Sequence, residues 1–456
     1  MRRATLSLCF VLGACSSPSS NVTLSIRQPG NRTLLGTVAQ LVLRADRDGR
    51  TIAQATFAAN ASSVSISRVP YGTNTTFTLD GLSATGDSLA HGSTCPLDFE
   101  ASAQSASLYL APTHHFAATV GAPASERTQQ MAITLASGDV LLAGGLDGAT
   151  AVARSQLYHH DNGTFDDAPQ SSLSIARAGA EVSVLSVGTL LTGGIGEHGE
   201  SLDSAELYYA ANGTFAPVVS QSLGARSEHR ASVLNGDRVL LTGGYGAEHV
   251  AVDTTAIVTV QSDGSAQAIA GPPLTVARAA HASIVAIGTP VVIGGYDATG
   301  QPLASIEALS IADDGDIGAF QLVAQLQFAR AAATATLLAD GSVLVVGGIG
   351  SNGAPRVDAE VYNPITQSTR VYTLATPRSR HTATLLPDGR VLVIGGVGAD
   401  GAPVANNELF IADVGFVSEQ PLLAARAGHL ALPLCDGSVL VTGGATDAEL
   451  YMPAPD

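Results

Sequence analysis

RSRHTATLLPDGRVLVIGG, Arg378 to Gly396, is the stretch from which the organisation of this chain is read, because variants of it return seven times between Arg127 and Gly444. Its double glycine recurs at Gly144-Gly145, Gly193-Gly194, Gly243-Gly244, Gly294-Gly295, Gly347-Gly348, Gly395-Gly396 and Gly443-Gly444, at a spacing of 48 to 53 residues. An arginine stands 16 or 17 residues before each pair: Arg127, Arg177, Arg226, Arg278, Arg330, Arg378 and Arg426. A fixed period of this length marks a repeat architecture.

Each copy reads as four strands. HTATLL follows the arginine, Pro387-Asp388-Gly389 is a hairpin turn of the Asp-Gly type, and RVLVIGG is apolar enough to be buried on both faces. A polar, glycine-rich loop leads to a third strand marked by Glu-x-Tyr, as at Glu206-Leu207-Tyr208, Glu360-Val361-Tyr362, Glu408-Leu409-Phe410 and Glu449-Leu450-Tyr451. The fourth strand often opens with phenylalanine, at Phe165, Phe215, Phe320 and Phe416. Two positions lapse: Ala256 replaces the glutamate in the third copy and Leu309 the tyrosine in the fourth. Four antiparallel strands per unit, with no unit able to bury its own faces, describe a β-propeller blade.

R-x-x-H, the Asp-Gly turn, the double glycine and E-x-Y together resemble kelch repeats of the bacterial, galactose-oxidase-like kind, over residues 113 to 456. The resemblance implies a seven-bladed propeller. It departs in one respect, since many kelch repeats carry a tryptophan in the fourth strand and this chain has none. The seventh copy ends after three strands, so the segment around Phe116, eleven residues before Arg127 as Phe215 is before Arg226, is expected to complete it. Closing the ring that way removes open sheet edges.

Ahead of the repeats, residues 25 to 112 alternate apolar and polar positions in short runs such as AQLVLRAD and SVSISRV, the pattern of an antiparallel β-sandwich. Val69-Pro70-Tyr71-Gly72 and the stretch after it resemble immunoglobulin-like or transthyretin-like modules of secreted bacterial proteins. The fold class expected for the whole chain is therefore all-β. The first residues, MRRATLSLCFVLGAC, read as a secretory signal over 1 to 14. Leu12-Gly13-Ala14-Cys15 resembles the lipobox of bacterial lipoproteins, which implies lipid on Cys15 and a Ser- and Pro-rich tether over 15 to 24. Ser16 is not the aspartate that keeps resembling lipoproteins at the inner membrane, so an outer-membrane anchor on either leaflet is expected. The membrane is then met only through lipid.

Charge excludes one class of partner. All 22 cationic residues are arginine, against 39 acidic ones, and a net charge of −17 argues against a nucleic-acid binder. Cys95 and Cys435 are left once Cys9 and Cys15 are assigned to signal and lipid, either as a disulfide across the two domains or as separate thiols.

Three groups of residues could carry chemistry. His229, His281, His381 and His429 follow the repeat arginine by three residues and are a candidate metal site, copper or zinc, if they converge on the channel. The resemblance implies copper-radical oxidation only with a tyrosine beside such a histidine, and the preceding residues are Glu228, Ala280, Arg380 and Gly428. The seven arginines either face an anionic ligand at one mouth or pair with the repeat glutamates. Asp147-Gly148 and Asp297-Ala298 offer acidic loops without the ligand spacing of an EF-hand. Loops between the glycine pair and the glutamate position hold 10 or 11 residues in six copies and 4 in the seventh, which leaves a notch at Ala445. Uniform loops suit a non-catalytic scaffold, without a cofactor, for a protein or surface polysaccharide. A copper oxidase of sugars or aldehydes and a structural spacer are the alternatives.

Overall fold

The computed structural model describes residues 19–29, 36–99, 104–218, 223–312 and 315–454. The signal segment and Cys15 lie outside them. Apart from one short 3-10 turn at Pro169–Ser171, the described elements are β-strands. Contacts divide the chain into one unit containing Ser19–Arg27 and Thr37–Leu110, and a second that holds everything from Ala111 onward.

In the first unit, Ser19–Arg27 pairs antiparallel with Ser63–Pro70 and parallel with Gln104–Tyr109. A second sheet runs Arg50–Ala58, Gln40–Arg47, Gly72–Leu82, Ser88–Ser93. Alternation explains the burial: Val22, Leu24, Leu41, Leu43, Val64, Ile66 and Phe77 are interior while their sequence neighbours are more exposed. The tether expected over 15 to 24 is shorter than that. Ser19 already begins a strand, because Val22 and Leu24 have a core to enter.

The second unit contains seven four-stranded antiparallel sheets among the described residues. The sixth shows the common plan, with Thr382–Leu385, Val391–Ile394, Asn407–Ile411 and Gly415–Glu419 paired in chain order. The second strands are buried from end to end in Val140–Ala143, Val343–Val346 and Val391–Ile394. Each such Val, Leu or Ile stabilises the fold by roughly 1.5–3 kcal/mol. At the Asp-Gly turn, Gly389 donates its N–H to the Leu386 carbonyl at 3.0 Å and Asp388 accepts from the Arg390 N–H at 2.9 Å.

The glycine pairs are stitches between consecutive sheets. Gly396, at φ +102°, donates its N–H to the carbonyl of Arg426 at 2.9 Å. A Cβ on Gly395 would lie 2.6 Å from that same oxygen, closer than side chains tolerate. The same bond joins Gly145 to Arg177, Gly194 to Arg226, Gly244 to Arg278, Gly295 to Arg330 and Gly348 to Arg378, and Gly444 reaches back to Arg127 at 3.2 Å.

The last sheet is assembled from both ends of the repeat region. His115–Ala118 pairs with Glu449–Met452, with Phe116 opposite Tyr451. The rings of these two residues lie 4.9 Å apart, the spacing found for Tyr158 with Phe165 and Tyr208 with Phe215 inside other sheets. Phenylalanine on the fourth strand packed on the third-strand aromatic fills the place where a tryptophan is absent.

Candidate functional site

The repeat arginines do not face a ligand. All seven are buried at 3% exposure or less. In each, Nη1 bridges two backbone carbonyls: that of the first glycine of its own pair and that of a residue at or near the start of the third strand, as with Gly395 at 2.7 Å and Asn406 at 2.9 Å for Arg378. Nη2 then reaches the third-strand carboxylate, Glu206 at 3.0 Å from Arg177, Glu360 at 2.8 Å from Arg330, Glu408 at 2.8 Å from Arg378 and Glu449 at 2.6 Å from Arg426. Arg278 pairs with Glu307 in the same way. The second carboxylate oxygen accepts backbone N–H groups just ahead of the arginine, Ala375 at 2.7 Å for Glu408. A buried charge persists only when it is paired and hydrogen-bonded, so these groups are committed to the fold. Two sheets lack the acid. Arg127 meets Gln156 at 3.2 Å, and Arg226 turns Nη2 to the Leu223 carbonyl at 2.9 Å. Burial pulls both of these guanidiniums down to about 10.

The four histidines do not converge either. Each is buried and donates or accepts through Nε2 with a threonine of the preceding sheet: Thr192 for His229 at 3.1 Å, Thr242 for His281, Thr334 for His381 and Thr382 for His429, all three at 3.0 Å. Their Nδ1 atoms are buried without a partner. A neutral ring that donates from Nε2 leaves only a lone pair there, which is less costly to bury than an N–H. Burial, reinforced by the neighbouring arginine, lowers His381 and His429 to about 3 and pushes His229 and His281 well down. Among the described residues these four form no metal-ligating group. Separate seams and the absence of an adjoining tyrosine do not fit a copper centre.

The acidic loops also have internal duties. Asp147 pairs with Arg154 at 2.5 Å, and Asp297 closes its own turn by accepting from Thr299 and Gln301. Cys95 follows the strand Ser88–Ser93 in the first unit, and Cys435 lies in the turn before Val439–Thr442 in the second.

In six sheets the residue after the glycine pair forms a β-bridge to the residue after the arginine, and in five of them it forms a second one within its own loop, as Val397 does to Ser379 and to Pro403. The seventh sheet has no such bridge among the described residues. A cleft of about 460 Å³ opens at that place, lined by Glu126, Thr128, Asp147, Pro403, Ala427 and Gly444. This is the notch expected at Ala445.

The residues ahead of the repeat histidines and their counterparts share a backbone conformation that the sequence does not announce. Two positions after the arginine, Gln129, Gly179, Glu228, Ala280, Ala332, Arg380 and Gly428 all adopt φ between 47° and 62°. Their backbones are linked in succession: Ala280 donates to Glu228, Ala332 to Ala280, Gly428 to Arg380, Gln129 to Gly428 and Gly179 to Gln129, at 2.8–3.0 Å. Left-handed backbone is cheap for glycine and costs any other residue. Beside this set stand Tyr245, stacked on His249 with centroids 4.6 Å apart, and Tyr296. Burial first, and then the Glu228 carboxylate, raises both phenols above their usual range, and Arg380 partly offsets this at Tyr296. The signal was a non-repeating residue, Glu228 or Arg380, ahead of a repeating histidine.

No protein-family model matches the chain, and no curated protein matches it. Among solved structures, one described as "Structure of YjhT" superposes on 66% of this chain and 99% of its own, at 14% identity and a TM-score of 0.52. YjhT is a kelch-type β-propeller protein. A likeness at this identity concerns fold alone. The repeated four-stranded antiparallel sheets are consistent with a β-propeller fold.

Proposed function

We propose that this chain is a lipid-anchored scaffold of the bacterial cell envelope that binds a protein or a surface glycan and catalyses no reaction. In this reading the first unit is a β-sandwich spacer and the seven sheets are the blades of one ring, closed by the strand around Phe116. The bond from Gly444 to Arg127 and the pairing of Phe116 with Tyr451 support closure. The observation that carries the functional reading is that the charged and imidazole groups of the repeat are spent inside the blades, leaving short, bridged loops of nearly equal length around a single notch. Catalytic groups usually sit on elaborated loops over a rigid scaffold. No helix of the described residues is long and apolar enough to cross a membrane. Lipid on Cys15 is the anchor in this reading, checked by metabolic acyl labelling of the parent and of Cys15→Ser.

The test has two arms. Purified protein incubated with copper or zinc and dialysed exhaustively is expected to retain no stoichiometric metal; retained copper lost in His381→Ala and His429→Ala would favour the oxidase. A photo-crosslinker at Thr150, exposed beside the notch, is expected to capture an envelope component in cells that the same group at Asp340 does not. Equal or absent capture at both positions would favour a spacer.

A further inference from the structure

Neighbouring sheets meet differently at the end where the first strand turns into the second. Between the second and third sheets, the Ser186 N–H and hydroxyl donate to the Asp237 carboxylate at 2.7 and 2.6 Å, which latches that end of the seam. Between the third and fourth, the turn of the fourth sheet is Ile287-Gly288, and neither side chain offers a hydrogen-bonding group. A cavity of about 340 Å³ opens there. Its walls are aliphatic, with Val233 and Leu234 from the third sheet and Val285, Pro290, Ile311 and Ile317 from the fourth. Leu234, Ile311 and Ile317 also pack on the buried cluster of Leu240, Val292 and Phe320, so the cavity is the unfilled end of that core.

The same cavity is lined by two polar side chains, Asn235 and Arg238. Arg238 donates from Nε to Asn235 Oδ1 at 2.9 Å and from Nη2 to the same oxygen. Among the described residues it makes no ion pair, and its Nη1 and the Asn235 amide nitrogen make no hydrogen bond. That amide nitrogen lies 3.6 Å from where a Cβ on Gly315, in the outer turn of the fourth sheet, would stand. Unlike the repeat arginines, which are buried and neutralised or bonded to backbone, Arg238 is half-buried with donors to spare.

Ile287, between the lining residues Val285 and Gly288, is a second and independent observation. It holds φ 52° in a two-residue turn in which Gly288 holds 72°. Asn-Gly suits such a turn, and a β-branched residue there is a genuine outlier. Ile287 is nevertheless 61% exposed, so burial within the chain does little to offset the strain. Strain of this kind clusters at ligand clamps.

We infer that this seam binds a small aliphatic carboxylate, its chain in the slot and its carboxylate on Arg238 Nη1 and the Asn235 amide. Aliphatic walls with a few polar groups at one end are the usual make-up of a small-ligand pocket, and the volume falls within the roughly 300–1,000 Å³ such pockets span. A guanidinium binds a carboxylate more strongly than a neutral acceptor. An uncharged chain gains burial alone, and an amine meets like charge. The two sheets adjoin in sequence, so the inference stands whether or not the ring closes and whatever the chain does at the envelope.

The test uses the full chain carrying Cys15→Ser, which takes no lipid there, purified without detergent because detergent would compete for an apolar slot. Octanoate is titrated by calorimetry against octanol, octylamine and acetate. Octanoate is expected to bind about ten-fold or more tightly than each of the others. Arg238→Gln should abolish the preference over octanol and leave octanol binding as it was. Val233→Trp, which adds bulk at a wall position, should weaken octanoate and octanol alike. Thermal unfolding midpoints equal to the parent's would show that both variants fold, and if Val233→Trp does not, Arg238→Gln decides alone. No octanoate binding, octanoate no tighter than acetate or octanol, or a preference unchanged in Arg238→Gln overturns the site.

Discussion

The third and sixth sheets are built on one plan and differ at one carboxylate. In the sixth, Arg378 bridges the Gly395 and Asn406 carbonyls at 2.7 and 2.9 Å and pairs with Glu408. In the third, Ala256 stands where the glutamate would, and Arg226 holds the matching carbonyls of Gly243 and Thr254 at 3.2 and 3.4 Å. The bridge survives without the ion pair, only looser. The constant task of the arginine is therefore to satisfy backbone oxygens where the second strand turns away. The glutamate neutralises it and fixes the incoming segment through Ala375 and Thr376.

The largest expected effect comes from removing the cation. Arg378→Ala strands a buried Glu408 and should cost about 3–5 kcal/mol. Arg226→Ala strands only carbonyls and should cost about 1–3 kcal/mol. Urea unfolding of both variants reads the difference, and equal losses would mean that the acid contributes nothing to the sixth sheet.

Acid should act on the histidine seams next. His381 and His429, held to about 3 when folded, titrate near 6.5 when unfolded. The unfolded chain thus takes up protons first as pH falls. Their stabilisation is complete above about 6.5 and is lost progressively toward 3, at about 1.4 kcal/mol per pH unit for each ring. His381→Gln and His429→Gln together should flatten the stability profile over that window, and a slope as steep as the parent's would contradict neutral burial.

The smallest expected effect restores what the third sheet lacks. Ala256→Glu offers Arg226 a partner and should stabilise by about 1 kcal/mol, visible as a raised urea midpoint with an unchanged slope. The same substitution should bring the Arg226 guanidinium back up from about 10.

The sequence disclosed the plan of the sheets more fully than the links between them. Gly395-Gly396 and Pro387-Asp388-Gly389 announce local backbone geometry, which a single stretch of chain carries within itself. Phe116 disclosed the closing strand because it kept the offset of Phe215 from its arginine. The direction of each arginine was harder to read, since a residue beside a strand can face solvent or a seam. The matching period of arginine and glutamate pointed to pairing, and the buried distances bear that out. The sequence marks Glu228 and Arg380 only as residues ahead of the repeat histidines; the left-handed backbone they share with five counterparts comes from the linking of successive sheets, which no single repeat encodes.

The seventh sheet joins segments 329 residues apart, as the bond from Thr119 to Ala448 shows. Compared with an ordinary hairpin, the added chain-closure cost is only about 4 kcal/mol, since each doubling of length adds about 0.6. The consequence is one of timing more than of stability. While the chain emerges, the segment His115–Ala118 must wait, edge exposed, until the final strand Glu449–Met452 arrives. A nascent molecule stopped short of that point would be left with six sheets and an unmatched edge, open to proteases and to the same segment of its neighbours.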